Sequence, residues 1–360
     1  MQPILRTSMA WLHTWTGVVF GSLLFTIFWM GTLSVFDREI DQWMMPATRL
    51  PTLTGPAVKL DGLITEQAQR LALGSPQWFI RLPSERVPAV ELRWRNEARK
   101  TLERRYLHPQ TGTLLEHTDT LAGSGFIFPF HYSLHLKWND LGHWLVGLAA
   151  MAMLLLLSSG VIMHRKIFAD FFLFRPRQRL PRASLDLHTL TGVLALPFHL
   201  MIPLSGLIIL FSIYFPSALM GAYGDVPTAA KQARQEQFGQ FQRPQTGQPG
   251  TLVSLDGLVR QAEQQWPGGQ AGFLRVWHPG DANSFVEVRR SHAREVTMNL
   301  DAVYFDAQTG ALLHRFEAAP VMRVQRFVSG LHFIQFEHWT LRWLYFLAGL
   351  SGCVMIGTGF

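Results

Sequence analysis

Cysteine is nearly missing: Cys353 stands alone in a chain of 360 residues. That excludes disulfides, clusters held by several thiolates, a thiol-based zinc site and a C-x-x-C-H haem attachment. Charge is scarce too, at 16% of residues, against about 25% in ordinary soluble domains. The shortage is concentrated in four uncharged runs: Val18 to Phe36, Trp144 to Met163, Leu187 to Phe215 and Trp343 to Phe360. Each reaches or approaches the roughly 20 residues that a bilayer-spanning helix needs. A soluble protein is thereby excluded, and an α-helical integral membrane protein in the lipid bilayer is expected. No G-x-G-x-x-G follows a strand pattern and no Walker loop is present. The chain therefore does not oxidise a nicotinamide by itself.

The net charge of +7 could suggest a nucleic-acid partner, but its placement argues otherwise. Arg165, Lys166, Arg175, Arg177, Arg179 and Arg182 crowd the loop between the second and third runs, against Asp170 and Asp186. By the positive-inside rule this loop is cytoplasmic and no nucleic acid is expected. Both termini then lie inside, and the two long polar segments lie outside, in the periplasm of a Gram-negative cell. The first run exceeds a signal-peptide core and lacks an A-x-A site before Asp37, so it reads as a retained helix. The fourth run meets no polar stop by Phe360, so a short tail is expected beyond it.

Laying the second half on the first reveals a repeat. His13-x-x-x-Gly17-Val18 returns as His188-x-x-x-Gly192-Val193, Leu60-Asp-Gly-Leu63 as Leu255-Asp-Gly-Leu258, and Gln110-Thr-Gly-x-Leu-Leu115 as Gln308-Thr-Gly-x-Leu-Leu313. Leu134-His135 likewise returns as Leu331-His332. The shared order, and the near-constant offset of the last three matches, predict two units of helix, outer domain, helix, related as parallel repeats about an axis along the membrane normal. The boundaries are helix one at 10–36, an outer domain at 37–130, helix two at 138–164 and the basic loop at 165–186. Helix three follows at 187–215, a second outer domain at 216–330 and helix four at 336–360.

Within each outer segment the pattern predicts a small α+β domain. Asp61 to Leu73 and Asp256 to Trp266 have helical spacing. Ala89 to Trp94 and Phe285 to Arg289 alternate as strands do. The Gln-Thr-Gly stretches read as hairpin turns before strands near Leu114 and Leu312. Residues 224–250 read as a loose excursion. The arginines Arg93, Arg95, Arg99, Arg104, Arg105, Arg289 and Arg290 read as a solvated strand face.

With thiol chemistry gone, the fourteen histidines carry the candidate chemistry. A haem in a helix bundle needs two neutral imidazoles facing each other, each with its second ring nitrogen fixed by an acceptor. The repeat offers His13 with His188 on helices one and three, at the inner face. It offers His135 with His332 before helices two and four, at the outer face. Two stacked b-type haems are expected. Gly17 and Gly192 follow their histidines by four residues on the same helical face, where a porphyrin edge would need the missing side chain. Gly17 with Gly21 also suits plain helix packing. His131 with His135 suits zinc as an i, i+4 pair, and His143, His164, His199 and His338 remain alternative ligands.

The duplicated H-x-x-x-G openings, the Q-T-G turns, the L-H motif before the second helix of each unit and the closing Ser159-Gly160 and Thr358-Gly359 resemble the PepSY-associated transmembrane family. The resemblance covers essentially the whole chain through the order of short motifs. It implies an inner-membrane protein with two PepSY-type periplasmic domains, and two haems on His13, His188, His135 and His332. It further implies reduction of siderophore-bound ferric iron in the periplasm; with no nucleotide fold in the chain, electrons are expected from a quinol or a separate donor. A haem-free sensor or binding module is the rival expectation, since PepSY domains elsewhere look like peptide-binding modules.

Overall fold

A computed structural model describes residues 3–51, 58–118, 120, 123–164, 175–224 and 226–359. The chain begins with α1 (Pro3–Ser34), α2 (Asp37–Met44) and, after an irregular turn at Leu60–Ile64, α3 (Thr65–Leu71). Strands β1 (Gln77–Arg81), β2 (Val90–Asn96) and β3 (Thr101–Leu107) lead to α4 (Ser124–Ser133) and α5 (Leu141–Met163). Next come α6 (Leu180–Leu194), α7 (Leu196–Ile209), α8 (Phe211–Tyr214), α9 (Pro216–Tyr223) and α10 (Val226–Phe238). Helix α11 (Leu255–Gln264) precedes β4 (Ala271–Trp277), β5 (Phe285–Arg290), β6 (Ala302–Asp306) and β7 (Leu312–Phe316). The described chain closes with α12 (Pro320–Phe333) and α13 (Trp339–Thr358).

Three helices, α1, α5 and α13, are long and apolar enough to cross a bilayer, and α6 with α7 would make a fourth span bent by 69°. The third run, expected as one helix over 187–215, thus starts earlier and breaks at Ala195. Pro197 explains the break: it has no N–H to donate, and its ring would strike the carbonyl of residue 193. The basic-loop residues Arg165, Lys166 and Asp170 lie outside the described residues, as does Phe360.

The two polar segments, expected as separate α+β domains, share one antiparallel sheet in the order β3-β2-β1-β4-β5-β6-β7. The join is the β1–β4 pair, with Phe79 opposite Arg275 and Arg81 opposite Phe273. One face of the five inner strands, β2, β1, β4, β5 and β6, is apolar at period two. Ile80, Leu92, Leu274, Val286 and Val303 pack there against Ile64, Ala68, Leu258 and Ala262 of the covering helices. Because both segments donate to this one core, neither has a complete core of its own.

The duplicated Leu-Asp-Gly-Leu segments meet over that core and cap each other. The Asp61 carboxylate accepts from Leu255 N (2.8 Å) and Ser254 Oγ, and the Asp256 carboxylate accepts from Leu60 N (3.1 Å) and Asp61 N (3.0 Å). Each carboxylate satisfies backbone donors that a helix start leaves open. Asp61→Ala or Asp256→Ala is expected to destabilise the sheet domain by about 1 kcal/mol. Thermal unfolding of the detergent-solubilised protein checks this; unchanged midpoints in both variants would refute it.

The opposite sheet face corrects the expectation of a solvated arginine surface. Glu91 is 3% exposed and holds Arg81, Arg93 and Arg104 at 3.1, 3.5 and 3.0 Å. Glu287 is likewise buried and holds Arg275, Arg289 and Trp277 Nε1. Arg95 and Arg99 are exposed as expected. The excursion at 224–250 is also more ordered than its composition suggests. It contains α10, and the chain beyond it covers this face, with Phe238 O accepting from Arg289 and Gly239 O from Tyr304. The strand expected near Leu114 is reduced to a bridge from Leu114 to Leu107. Its counterpart persists as β7 because Leu313 and Phe316 pack on Phe285 and Tyr304, whereas Glu116-His117-Thr118 offers no apolar face.

Candidate site: two facing histidine pairs

Four helices, α1, α4, α6 and α12, each present a histidine to a glycine of a neighbour. His13 on α1 donates Nδ1–H to Leu156 O of α5 at 3.0 Å, and its Cε1 lies 3.3 Å from where a Cβ on Gly160 would stand. His188 on α6 donates to Met355 O at 2.7 Å and rests on Gly359. His131 on α4 donates to Ile27 O at 2.9 Å and rests on Gly31, and His332 on α12 donates to Ile202 O at 3.1 Å and rests on Gly206. In all four cases the accepting carbonyl belongs to residue i of a helix and the glycine to residue i+4, Gly359 being the C-terminal cap of α13. The i+4 side chain of a helix stands one turn above residue i, so its removal clears the imidazole's path to the carbonyl.

The tautomer follows from the acceptor. A carbonyl only accepts, so Nδ1 carries the proton, and the neutral ring keeps a lone pair on Nε2. Ser159 Oγ near His13 and Ser205 Oγ near His332, at 3.0 and 2.9 Å from Nδ1, add a second anchor. Burial lowers the pKa of His131 and His332, that of His332 to about 3, with its neighbour His131 adding repulsion. Both therefore stay neutral, with a lone pair on Nε2.

The four rings fall into two pairs. His13 and His188 have ring centres 6.2 Å apart, and His131 and His332 6.0 Å apart. A metal-bound imidazole nitrogen lies about 2 Å from the ion and about 1 Å from its own ring centre, so rings sharing one ion have centres roughly 6 Å apart. Ligation leaves each ring free to turn about its nitrogen–metal axis, so the interplanar angles of 88° and 33° are both compatible. Among the described residues no group of three or more His, Cys, Asp or Glu side chains could hold a metal. Two neighbouring rings, each with Nδ1 anchored and no third ligand among the described residues, suit a metal that brings its other ligands with it, as a porphyrin iron does. On α1, positions 13 and 27 mark the two pairs, about 21 Å apart along a helix axis.

The structure thus brings His13 to His188 but does not bring His135 to His332; His131 stands there instead. Leu134 and His135 both adopt left-handed backbone angles, φ 49° and 56°, which ends α4 and turns His135 back on it. Its Nε2 contacts Phe126 O at 3.0 Å and its ring packs on Phe126. His131, one turn earlier, remains on the helix face. With His131 and His135 aimed at different carbonyls, they form no zinc pair. His143 stacks on Tyr132 and meets Asp140, and His338 caps α13 by accepting from Leu341 N. His164 ends α5 with Nδ1 unpaired. His199 repeats the docking arrangement on Ala348 O and Gly352, at 3.4 Å from the carbonyl, but faces the Phe28 ring rather than a second imidazole.

At the sheet-side end of α13, Arg342 is fully buried between Phe36 and Trp339 and pairs with Glu39, which also holds Arg86. This ion-pair link ties the bundle to the sheet domain.

The apolar helices and the sheet define a multi-pass helical membrane protein with an antiparallel sheet domain. Residues 10–360 match the family described as the PepSY-associated TM region, and the chain belongs to that family. Over 236 residues, 61% of the chain, it is 28% identical to an uncharacterized protein of Pseudomonas aeruginosa. The match spans 58% of that relative's length.

Proposed function

We propose that the chain is a di-haem reductase of the bacterial inner membrane that delivers electrons to ferric siderophores in the periplasm. The observation that carries this reading is the pair of facing imidazole couples, each with Nδ1–H fixed by a carbonyl and Nε2 free. His13 with His188, and His131 with His332, would each hold one b-type haem. Bound haem supplies reversible one-electron carriage, with a potential set by axial ligation and burial. The carbonyl acceptors fix each ring's tautomer and direction and raise its basicity, as outer-shell partners of metal ligands do. The placement of one couple toward each end of the bundle supports passage of electrons along it.

The acceptor chemistry agrees. Ferric iron is a hard ion held by hydroxamate or catecholate oxygens, and the ferrous ion generally binds such sites more weakly. One electron therefore frees the metal for uptake. Electrons would come from a membrane quinol or a separate donor, since the chain carries no dinucleotide motif. We read the motif order as resembling that of the ferrisiderophore reductase FoxB of the same family. A pyridine haemochrome assay on protein expressed with ample haem is expected to give two b-type haems per chain. Haem-free protein would overturn the redox reading in favour of a PepSY-type sensor or binding module.

A further inference from the structure

Where the two polar segments join, the sheet domain holds a half-open cavity of about 530 Å³. Its wall combines the turn after β1 (Arg81 to Pro88), the approach to β4 (Gly268 to Phe273), the turn after β5 (Arg290 to Glu295) and the link from α12 to α13. Both polar segments therefore contribute to one chamber. Its volume lies within the roughly 300–1,000 Å³ typical of small-molecule sites.

The chamber adjoins the sheet-side histidine couple. Gln335 lines it and follows His332 by three residues, a reach of at most about 10 Å for an extended chain. Gln335 also meets His292 at 3.4 Å. A narrower crevice behind shares His292, Glu295 and Gln335 with the chamber and is bounded by Gly330 and Phe333, which flank His332 in sequence. Chamber and couple thus adjoin along the stretch from Gly330 to Gln335.

The wall is cationic. Five arginines face the cavity against three glutamates. Glu91 and Glu39, which pair with Arg81 and Arg86, stand outside the lining, so those pairs turn their positive ends toward the cavity. Arg294 is exposed and has no acidic partner among the described residues. Guanidinium groups suit carboxylate and catecholate oxygens through paired N–H donors.

We propose that this chamber docks the ferric chelate and selects chelates of net negative charge, such as tris-catecholate or carboxylate complexes. The proposal rests on the reductase reading for the identity of the substrate, but docking is measured without redox chemistry. Gallium(III) copies the ferric ion's charge and oxygen preference and does not accept the electron. The test is equilibrium dialysis of the full chain in detergent against an anionic gallium tris-catecholate and against a neutral gallium trihydroxamate.

The anionic complex is expected to bind, more weakly as salt is raised, and the neutral one to bind at least tenfold more weakly. Arg294→Glu should weaken the anionic complex about tenfold, and Gln270→Trp, which places a large ring at the cavity wall, should abolish binding. Melting temperatures matching the wild type would show that both variants fold. Equal binding of the two complexes, no binding of the anionic one, or wild-type binding by both folded variants would overturn the proposal. Anionic binding by a protein that proves haem-free would uphold the chamber while the reductase reading falls.

Discussion

Alanine in place of His131 is expected to cut the haem content from two per chain to one, whereas alanine in place of His135 should leave it at two. The contrast follows from ring direction. His131 lies 6.0 Å from His332, centre to centre, with Nδ1 on Ile27 O, so its Nε2 is free for a shared iron. The Nε2 of His135 already contacts Phe126 O, and no other imidazole faces it. His332→Ala should match His131→Ala, and His13→Ala or His188→Ala should remove the other haem alone. Haemochrome quantitation with low-temperature spectra of the reduced protein separates the cases. Two haems in His131→Ala, or one in His135→Ala, would contradict the pairing. The same variants locate the exit of electrons: losing the sheet-side couple should abolish release of ferrous iron from a ferric siderophore.

Much of this architecture is legible in the sequence because the governing signals are local. Uncharged runs of bilayer length mark α1, α5 and α13, and alternating residues mark β2 and β5, since each pattern follows from the geometry of a single element. The His13–His188 couple is legible for the same reason: both residues sit four positions before a glycine in matching openings. The other couple is misread because the Leu-His match aligns residues 135 and 332 by sequence, while the helices end in space at Leu134 and Ile334. A shift of a few residues between helix ends changes the face that a histidine presents. The sharing of one sheet by two segments is not legible either. Edge pairing between β1 and β4 depends on which strand lies beside which, and alternation carries no such information. A usable signal does exist for His131. Ser159-Gly160 and Thr358-Gly359 have relatives in Ser205-Gly206 and Met30-Gly31, one glycine notch for each of the four docked rings.

Those notches give the sharpest test of the docking geometry, because the four glycines are not equally tight. A Cβ would stand 2.6 Å from His131 Cε1 at Gly31 and 2.7 Å from His188 Cε1 at Gly359, but 3.1 Å from His332 at Gly206 and 3.3 Å from His13 at Gly160. The first two separations are far inside carbon–carbon contact, which is optimal near 3.5–4.0 Å. Either ring must leave its carbonyl. The last two require a shift of only a few tenths of an ångström. Gly31→Ala and Gly359→Ala are thus expected to lose the Nδ1 anchor and weaken haem binding at their own site by about 10–100-fold, as loss of an outer-shell partner does. Gly206→Ala and Gly160→Ala should retain haem. Gly221→Ala serves as the folding control, since its Cβ would meet nothing within 4 Å. Titration of the haem-depleted variants with haem, followed by Soret absorbance, measures all five. If Gly31→Ala and Gly359→Ala bound haem as tightly as Gly160→Ala, the notches would be packing features rather than seats for the ligands.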